Sequence, residues 1–587
     1  MLSGLITKYH NQNKIHGITI AKDAPTLSHL FFADDSMVFC RANKSEARNL
    51  MDIFDKYQRI SSQKLNLNKS EMVFNPTLLQ IIKTEFQQFM PIQITSNINK
   101  YLGLPTQVGR SKTQVFNFLM ERIRKKLKGW KEKNLSFLGR GVLIRAVIQA
   151  IPTYVMSTFL ISQGICDRIE KAICRFWWGG NEDKRMIHWK NKEALFKSKL
   201  NGGQGFRTMR SFNEALLAKQ FWLLLKNPNS LISRCLKAKY YPHIDLLKAR
   251  MGYNPSFVWS SIYHAKWIIQ KGGCWKIGDG SDVKVWEDNW IPQHNGFKIY
   301  TPVISSSTIR HVKDLIVEDL KGWHQPLLET HFHNFESEHI QQLPLVQEVS
   351  EDSYMWMFSQ DENYTVKYGY NFIQDWHSNQ LPGPSSNNTN QGIWKTIWSL
   401  NTIPRHEDFL WLVLNDAISV RKALHSKGLT RDMFCTRCDT KIESMSHTFM
   451  DCPFARKVWF GSNINIKLPK VPEFEFQDWL RNMFQTTNAE ILIYISSVIY
   501  NLWYARNMLI FEDVNNSEKD ILNIISKTIK DYMICNDINN KQNSMQQSNS
   551  RNHNQQQRAK MNGWKKPENN IYKVNTDANL SEKNSGV

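Results

Sequence analysis

The sequence predicts a multidomain α+β protein that is mostly helical. Its 587 residues are too many for one small hydrophobic core, so we expect three or more domains. Short strand-like runs fill residues 1–40, whereas apolar residues at helical spacing dominate residues 110–250. Polar stretches at residues 381–392 and 536–560 predict linkers, and the second, which is rich in Asn and Gln, is expected to be disordered.

The composition is strongly basic. The chain has 75 Lys and Arg residues and 53 Asp and Glu residues, which gives a net charge of +22. This surplus favours a polyanionic partner, most simply nucleic acid, with an anionic membrane surface as the alternative. The longest apolar run, Ile491 to Ala505, contains polar residues and is shorter than the roughly 20 residues of a membrane span. Nine scattered cysteines and no visible signal peptide predict an intracellular protein with free thiols.

Residues 30–39 read Leu-Phe-Phe-Ala-Asp-Asp-Ser-Met-Val-Phe and predict a β-hairpin with Asp34 and Asp35 at its turn. Strands this apolar are expected to be buried, where paired carboxylates require a cation. Mg²⁺ takes oxygen ligands and bridges to phosphates, and two-metal sites of this kind drive in-line phosphoryl transfer. The alternative is an ordinary hairpin turn.

Helices are predicted after the hairpin. The first runs from Ser45, as its N-cap, to Ser61. Further helices are expected at Ile165 to Trp178, Glu214 to Leu225 and Glu490 to Phe511. Their aromatic residues fit a core better than a platform for base stacking; these are Phe176, Trp177, Trp178, Phe221 and Trp222.

The helical pattern near residue 120 separates apolar from basic residues. Its apolar face holds Val115, Leu119, Ile123, Leu127 and Trp130. The opposite face is a candidate for phosphate contacts or, alternatively, a solvated surface. The candidate nucleic-acid ligands on it are Arg122, Lys125, Lys126, Lys128 and Lys133.

Two hairpins are predicted between residues 255 and 400. One would join Cys274–Ile277 to Val283–Trp286 through the turn Gly278-Asp279-Gly280. The other would join residues 354–358 to residues 364–367 around Asp361 and Glu362. The sequence suggests no chemistry for either of them.

The motif Cys435-x2-Cys438-x8-His447-x4-Cys452 has the spacing of a tetrahedral zinc site. Four protein ligands would leave no open position, so the Zn²⁺ would be structural and not catalytic. Thr436 and Arg437 are expected to form the polar tip of the knuckle between the first two cysteines. The other six cysteines lack partners at metal spacing and are expected to be buried thiols.

Several of these motifs resemble one protein family. Phe32-Ala33-Asp34-Asp35, preceded by Ser28-His29-Leu30, resembles the catalytic hairpin of reverse transcriptases from non-LTR (LINE-type) plant retrotransposons. Tyr101-Leu102-Gly103-Leu104-Pro105 resembles the family's primer-gripping turn, in which Tyr101 and Gly103 would contact nucleic acid. The cysteine motif, with Ser446 before its His and Pro453-Phe454-Ala455 after its last Cys, resembles the zinc-binding domain that follows the polymerase. The family has glycine where Ser62 stands.

The resemblance implies a domain order and a set of functional residues. Asp34 would be a metal-binding catalytic carboxylate and Asp35 its partner, with Mg²⁺ as the ion of a competent polymerase. Residues 571–578 resemble the first strand of a ribonuclease H domain, with Asp577 as its first metal carboxylate. The implied domains are a partial palm at 1–108, a helical thumb-like region at 109–250, a mixed α/β connection region at 251–380, a zinc-binding domain at 393–480, a helical region at 481–535 and a ribonuclease H start at 561–587.

The resemblance also implies function. The expected activity by descent is RNA-directed DNA polymerase, with RNA and DNA as partners, other retroelement proteins as candidate assembly partners, and a location in the nucleus. The family's first palm carboxylate lies well upstream of the hairpin, yet Asp23 is the only acid before Asp34. We therefore expect a truncated chain that is inactive alone and has no ribonuclease H activity. The alternatives are a non-catalytic zinc protein that binds nucleic acid and a structural interaction module.

Overall fold

The computed structural model describes residues 1–98, 100–109, 111–131, 135–180, 186–304, 307–317, 322–345, 350–380, 388–464, 466, 468–469 and 475–535. The chain divides into two compact units, residues 1–391 and 392–587, here called the first and the second unit. The predicted linker at 536–560 and the expected ribonuclease H start at 561–587 lie outside the described residues, as does most of the linker at 381–392.

The structure is mostly helical, and its described strands form five two-stranded sheets. The helices of the first unit are α1 Leu2–Asn11, α2 Lys44–Ser61, α3 Gln80–Phe89, α4 Lys112–Val115, α5 Asn117–Lys131, α6 Phe137–Leu143, α7 Thr153–Met156, α8 Gln163–Trp177, α9 Lys192–Phe196, α10 Met209–Lys226, α11 Leu231–Tyr240, α12 Phe257–His264, α13 Lys266–Gly272, α14 Gln325–His331, α15 Asn334–Gln341 and α16 Val366–Gln380. The next helix, α17 Asn388–Ser399, begins inside the stretch expected as a linker and ends in the second unit. The second unit continues with α18 Pro404–Leu414, α19 Arg421–Ser426, α20 Pro453–Phe460, α21 Phe476–Thr486, α22 Ala489–Phe511 and α23 over residues 518–535.

The strands are short and lie in the first unit. They are β1 His29–Phe32, β2 Asp35–Val38, β3 Glu71–Val73, β4 Gln93–Thr95, β5 Lys100–Tyr101, β6 Leu104–Pro105, β7 Gly273–Lys276, β8 Ile316–Val317, β9 Gly322–Trp323 and β10 Ser353–Trp356. The β3–β4 pair is parallel, whereas β1–β2, β5–β6, β7–β10 and β8–β9 are antiparallel.

Helix α2 organises the N-terminal part of the first unit. It begins directly after Asn43, whose side chain accepts the N–H of Glu46 at 2.8 Å, so Asn43 and not the predicted Ser45 is the N-cap. Its apolar face packs against α1 and α3, since helical spacing places these side chains in one stripe. The buried cluster there contains Ile6, Tyr9, Ile15, Ala47, Leu50, Ile53, Phe86, Met90 and Ile92.

Helix α10 lies at the centre of the first unit. It packs against α8, α12, α13 and α16, so side chains all round it are buried. The aromatic residues predicted for the core are buried, as expected; Phe176, Trp177, Trp178, Phe221 and Trp222 are each at most 8% exposed. The predicted helices at Ile165 to Trp178 and Glu214 to Leu225 are confirmed as α8 and α10.

The two hairpins predicted for residues 255–400 are wrong. Strand β7 pairs with β10, with Lys276 opposite Ser353, and not with the following Val283–Trp286. The carboxylate of Asp352 accepts the N–H groups of Gly278, Gly280 and Asp282 at 2.7–3.0 Å, which holds the intervening loop open. Around Asp361 and Glu362 the chain enters helix α16 and forms no second strand.

In the second unit, α18 and α22 pack against each other. The prediction of a long helix from Glu490 to Phe511 is confirmed by α22, which Asn488 caps by accepting the N–H of Ile491 at 3.0 Å. Across the described ranges, no helix is both long and apolar enough to cross a membrane.

Candidate metal centre and nucleic-acid interface

Four side chains of the second unit form a candidate metal centre. The ligand atoms of Cys435, Cys438, His447 and Cys452 all lie within 4.8 Å of one another. Sγ of Cys435 is 4.0 Å from Sγ of Cys452, and Sγ of Cys438 is 3.3 Å from Nε2 of His447. The structure thus brings together the four residues that the sequence spacing predicted. Within the described part of the chain, no other group of three His, Cys, Asp or Glu side chains is arranged to hold a metal ion.

Local backbone hydrogen bonds place each ligand. The first two cysteines lie on a knuckle in which the Cys435 N–H donates to the Lys441 carbonyl and the Asp439 N–H donates to the Cys435 carbonyl, both at 2.8 Å. His447 begins a short π-helical turn, and the Cys452 N–H donates to the His447 carbonyl at 2.8 Å. Cys452 then precedes Pro453, the first residue of α20, where the missing N–H of proline is tolerated.

The thiols of the centre differ in acidity. A hydrogen bond from Cys435, assisted by the N–H groups of Phe454 and Ala455 at the start of α20, lowers the pKa of Cys452 to about 7. The same thiol–thiol contact, together with burial, raises the pKa of Cys435 to about 12. The lowered pKa of Cys452 favours its thiolate, the form in which cysteine binds metal.

The donor set and its geometry fit zinc. Three sulfurs and one imidazole nitrogen are the soft to borderline ligands of structural Zn²⁺ sites. With Zn–S bonds near 2.3 Å, a tetrahedral ion separates its sulfur ligands by roughly 3.8 Å. The 4.0 Å between the Cys435 and Cys452 sulfurs is close to this separation. All four positions would be filled by protein, as in a structural site.

Arg437, between the first two cysteines, does not form a polar tip as predicted. Its guanidinium packs over the ring of Phe454 at 4.0 Å and donates to the carbonyl of Ala505, to the carbonyl of Asn516 and to the side chain of Asn515 at 2.8–3.0 Å. The knuckle backbone turns this long side chain inward, where it ties the metal centre to the end of α22 and to the segment before α23. Sequence reasoning missed this role, because the spacing of the cysteines does not fix the direction of the intervening side chains.

A buried ion pair next to the metal centre was also missed. Glu443, which is fully buried, accepts from Arg506 of α22 at 2.8–3.0 Å, and Arg506 also donates to the Ser419 carbonyl at 3.2 Å. Burial raises the pKa of Glu443, and the contact with Arg506 opposes this shift. The sequence offered two acidic residues between Cys438 and His447, Asp439 and Glu443, with no sign of which one is paired.

The remaining cysteines are only in part the buried thiols that were predicted. Cys166, Cys174, Cys235 and Cys274 are buried. Cys40 is partly exposed, and the prediction is wrong for Cys535, which is exposed at the end of α23.

The Asp34 and Asp35 hairpin forms, but its tip lies in solvent. Strands β1 and β2 pair with Phe32 opposite Asp35, so the turn consists of Ala33 and Asp34, and Asp35 is the first residue of β2. Both carboxylates are exposed, and Phe32 is 64% exposed. The expected burial of this hairpin is therefore wrong. Among the described residues, no third carboxylate, His or Cys joins the two acids in a metal-binding group.

The predicted turn at Tyr101 and Gly103 is present. Strands β5 and β6 pair Tyr101 with Leu104, and both turn residues have positive φ, +50° for Leu102 and +76° for Gly103. Such a turn favours glycine at its second position.

The basic helix is α5, and it separates its two faces as predicted. Leu119 and Ile123 are fully buried, while Leu127 and Trp130 are partly buried. The basic side chains Arg122, Lys125, Lys126 and Lys128 are exposed along the same helix. Two further predicted site residues, Lys133 and Asp577, lie outside the described residues.

Comparisons with known proteins agree with these motifs. The family model for zinc-binding in reverse transcriptase matches residues 364–459. A protein of Arabidopsis thaliana named "Putative ribonuclease H protein" is 28% identical over 368 residues, which are 61% of this chain and 57% of that protein. The chain thus spans little more than half the length of that relative.

A second relative is matched over nearly its whole length. A protein of Arabidopsis thaliana named "Uncharacterized mitochondrial protein" is 42% identical over 143 residues, which are 24% of this chain and 93% of that protein. The chain therefore belongs to the plant retroelement family of reverse transcriptase and ribonuclease H proteins that carries this zinc-binding domain.

Proposed function

We propose that this chain is a retroelement-derived protein that binds nucleic acid through the basic face of α5 and holds a structural zinc ion in its second unit. The observation that carries the proposal is the division of α5 into a buried apolar stripe and an exposed row of cations. A helix divided in this way packs by one side and contacts phosphates by the other.

The cations of α5 are available to an outside partner. Lys125 and Lys126 form no ion pair with any residue that the structure describes. Arg122 lies over the ring of Phe118 at 5.2 Å, which leaves its charge uncompensated. The net charge of +22 supports the same class of partner, with RNA and DNA as the candidates and other retroelement proteins as candidates for assembly.

The zinc centre is proposed to act through structure. Its four ligands leave no position for substrate, so the ion would fold the knuckle, the π-helical turn and the start of α20 around one point. This arrangement would organise the second unit and take no direct part in chemistry.

Salt-dependent binding tests the role of α5. We expect the affinity for a duplex or single-stranded oligonucleotide, measured by fluorescence anisotropy, to fall steeply with salt in the wild-type chain. Replacing Arg122, Lys125 and Lys126 together by Gln should reduce the slope of log K against log salt by about 2–3, because each phosphate contact contributes about 0.7–0.9.

The matched control is a triple Gln variant at Arg234, Lys237 and Lys239, three exposed basic residues on α11. This variant removes the same charge from another helix and should keep more of the salt slope. Equal slopes for the two variants, or a wild-type chain that binds without salt dependence, would rule out α5 as the interface.

A second candidate function is RNA-directed DNA polymerase, which the exposed carboxylates of Asp34 and Asp35 favour. Adjacent carboxylates open to solvent can take Mg²⁺ and phosphate oxygens. Two-metal catalysis needs further ligands, and no third one lies with them among the described residues. We therefore expect no primer extension by this chain alone on an RNA template with Mg²⁺. Synthesis that Asp34→Ala abolishes, and that Asp55→Asn on the exposed side of α2 leaves intact, would establish the polymerase instead.

A further inference from the structure

An open groove of about 580 Å³ lies beside α5. Five of its lining residues come from that helix: Arg122, Lys125, Lys126, Gly129 and Trp130. Their spacing of three, four, seven and eight residues from Arg122 places them side by side on the helix surface, with Trp130 of the apolar stripe next to the exposed cations. Ile151, from the turn after the π-helical segment Ile144–Ile148, lines the groove as well.

Charge and aromatic surface occupy different ends of this groove. The three cations lie on the first turns of the lining face, and Trp130 lies about 12 Å further along the helix axis than Arg122 at 1.5 Å per residue. Trp130 is partly exposed, and its ring also packs against Phe176 of α8 with the ring centroids 6.0 Å apart. The contact with Phe176 holds the indole in place while it lines the groove.

Gly129 lines the groove beside Trp130. A Cβ atom placed on Gly129 would meet no other atom within 4 Å, so the space beside it is empty of protein. Glycine is disfavoured inside a helix relative to alanine. This open space leaves room for a ligand to lie against Trp130.

We propose that the α5 groove binds a single-stranded nucleic acid, with a base stacked on Trp130 and phosphates on Arg122, Lys125 and Lys126. This inference rests on the proposed nucleic-acid function and specifies its ligand. Cations that follow a backbone beside an aromatic ring are the combination that binds single strands without sequence preference. In a duplex each base is stacked on its neighbours and is not free to pack on Trp130.

The test is to close the groove without removing any charge. Gly129→Leu places a side chain into the open space and adds a better helix former, so α5 should remain folded. Gly129→Ala is the matched control, since it makes the same helix correction and adds a single methyl group. Trp130→Phe keeps a ring against Phe176 but offers a smaller stacking surface.

Binding is measured by anisotropy with oligo(dT), oligo(rU), an abasic strand of the same length and a duplex. Base stacking on an aromatic ring corresponds to about 5- to 150-fold in affinity. We expect Gly129→Leu to lose affinity for both single strands by a factor in this range and Trp130→Phe to lose less. Gly129→Ala should bind as the wild type does. All of them should bind the abasic strand equally, with an unchanged salt slope.

Two results would overturn the inference. The first is wild-type affinity of Gly129→Leu for both single strands, and the second is displacement of oligo(dT) by polyglutamate as effectively as by unlabelled strand. Suppose that Gly129→Leu binds both single strands with wild-type affinity while the triple Gln variant at Arg122, Lys125 and Lys126 has a reduced salt slope. That combination rejects the stacking site and keeps the proposed function. An unchanged salt slope in the triple Gln variant rejects the proposed function as well. Equal losses on oligo(dT) and oligo(rU) support the site for both sugars, whereas a loss on one of them assigns the site to that sugar.

Discussion

Glu46 in the first unit and the Cys435–Cys452 group in the second are both buried polar centres, but they are satisfied in different ways. The Glu46 carboxylate accepts from the His16 N–H, the Arg41 N–H and the His16 ring at 2.9–3.0 Å, so the chain itself supplies the donors. The cysteine and histidine atoms of the metal centre mainly face one another, at 3.3–4.0 Å.

This difference predicts that the stability of the first unit depends on pH, whereas the stability of the second unit depends on bound metal. A buried carboxylate with three donors needs no ion, but it does need to stay ionised. Three sulfurs, two of them on buried cysteines, and a buried imidazole gain full coordination only around a cation. We therefore expect the first unit to respond to acid at Glu46 and the second unit to respond to removal of metal. The predictions below test this contrast, from the largest effect to the smallest.

Loss of the metal should have the largest effect. Cys452→Ala removes a ligand thiol whose pKa is lowered to about 7, so we expect bound zinc to be lost. Zinc binding contributes about 10–16 kcal/mol of apparent free energy in small zinc domains. Hydrogen exchange in α22 should accelerate, as it should in the wild-type chain with a chelator. Exchange in α2 should stay unchanged in both cases. Metal content and exchange rates measure these effects.

The exposed Cys535→Ser is the control, since it removes a thiol outside the centre. Zinc content equal to that of the wild type in Cys452→Ala would contradict the proposed ligand set. Slowed or unchanged exchange in α22 after chelation would break the contrast between the two units.

The ion pair beside the metal centre should have the next largest effect. Arg506→Met leaves the buried Glu443 with only the more distant Arg421, whose Nε lies 3.9 Å from Oε2, so we expect the second unit to lose about 3–5 kcal/mol in free energy of unfolding. Glu443→Gln combined with Arg506→Met should recover part of this loss, because no charge then remains buried. Denaturant unfolding followed by hydrogen exchange in α22 measures the change.

Arg456→Met is a matched control for the ion pair. Arg456 pairs with Asp451 at 3.3 Å, but its side chain is 59% exposed, so its loss should cost less than about 1 kcal/mol. A cost for Arg506→Met as small as this would show that the Glu443 pair does not hold the knuckle to α22.

The parts of the molecule that were predicted from the sequence are those whose information is local. Helices α5 and α8 repeat their apolar residues every three to four positions, α10 and α22 contain long apolar runs, and the four metal-ligand residues lie within one short segment. The Asp34 hairpin was located for the same reason, since its strands and turn are adjacent in the chain.

The parts that were missed depend on distant partners or on side-chain direction. Strand β7 pairs with β10, about 80 residues later, and the Gly278–Gly280 loop needs an acceptor that the sequence does not identify as Asp352. The predicted burial of the Asp34–Asp35 hairpin was wrong, because the apolar sequence of two strands does not show which other part of the chain packs over them. The inward turn of Arg437 and the groove beside Gly129 follow from packing, which no local pattern encodes.

Acid should act on the first unit through Glu46. Burial alone would raise the pKa of Glu46, but hydrogen bonds from His16, Arg41 and Asn43 outweigh it and lower the pKa below 4.5. The carboxylate therefore stabilises the fold above pH 4.5, and this contribution is lost as the pH falls through the lowered value. Glu46→Gln should cost about 2 kcal/mol at neutral pH and much less in acid.

Unfolding followed by hydrogen exchange in α1 and α2, at neutral and at acidic pH, measures this dependence. Glu71→Gln, at an exposed carboxylate in the same region, is the control and should change little at either pH. A cost for Glu46→Gln that stays the same at both pH values would mean that its charge has no part in holding this centre.

The smallest effect is expected at the end of α2, and it should be stabilising. Ser62 follows the helix with φ +60° and ψ +7°, and its N–H donates to the Gln58 carbonyl at 3.0 Å, as in a left-handed C-cap. A non-glycine residue is strained in this region by about 1–2 kcal/mol, and glycine is not. Glycine loses more backbone entropy on folding than serine does, which offsets part of this relief. The net effect of Ser62→Gly should be an increase of about 1 kcal/mol in the free energy of unfolding, measured as a higher denaturant midpoint.

Ser61→Gly is the control of opposite sign. Ser61 is the last helical residue and its hydroxyl donates to the Tyr57 carbonyl at 2.8 Å, so glycine there should lose stability by about 1 kcal/mol. Because the two positions are adjacent, a general effect of added flexibility would move both midpoints in the same direction. Only a left-handed backbone at Ser62 predicts a gain at one position and a loss at the next. Losses of equal size in both variants would contradict that backbone geometry and the place where α2 ends.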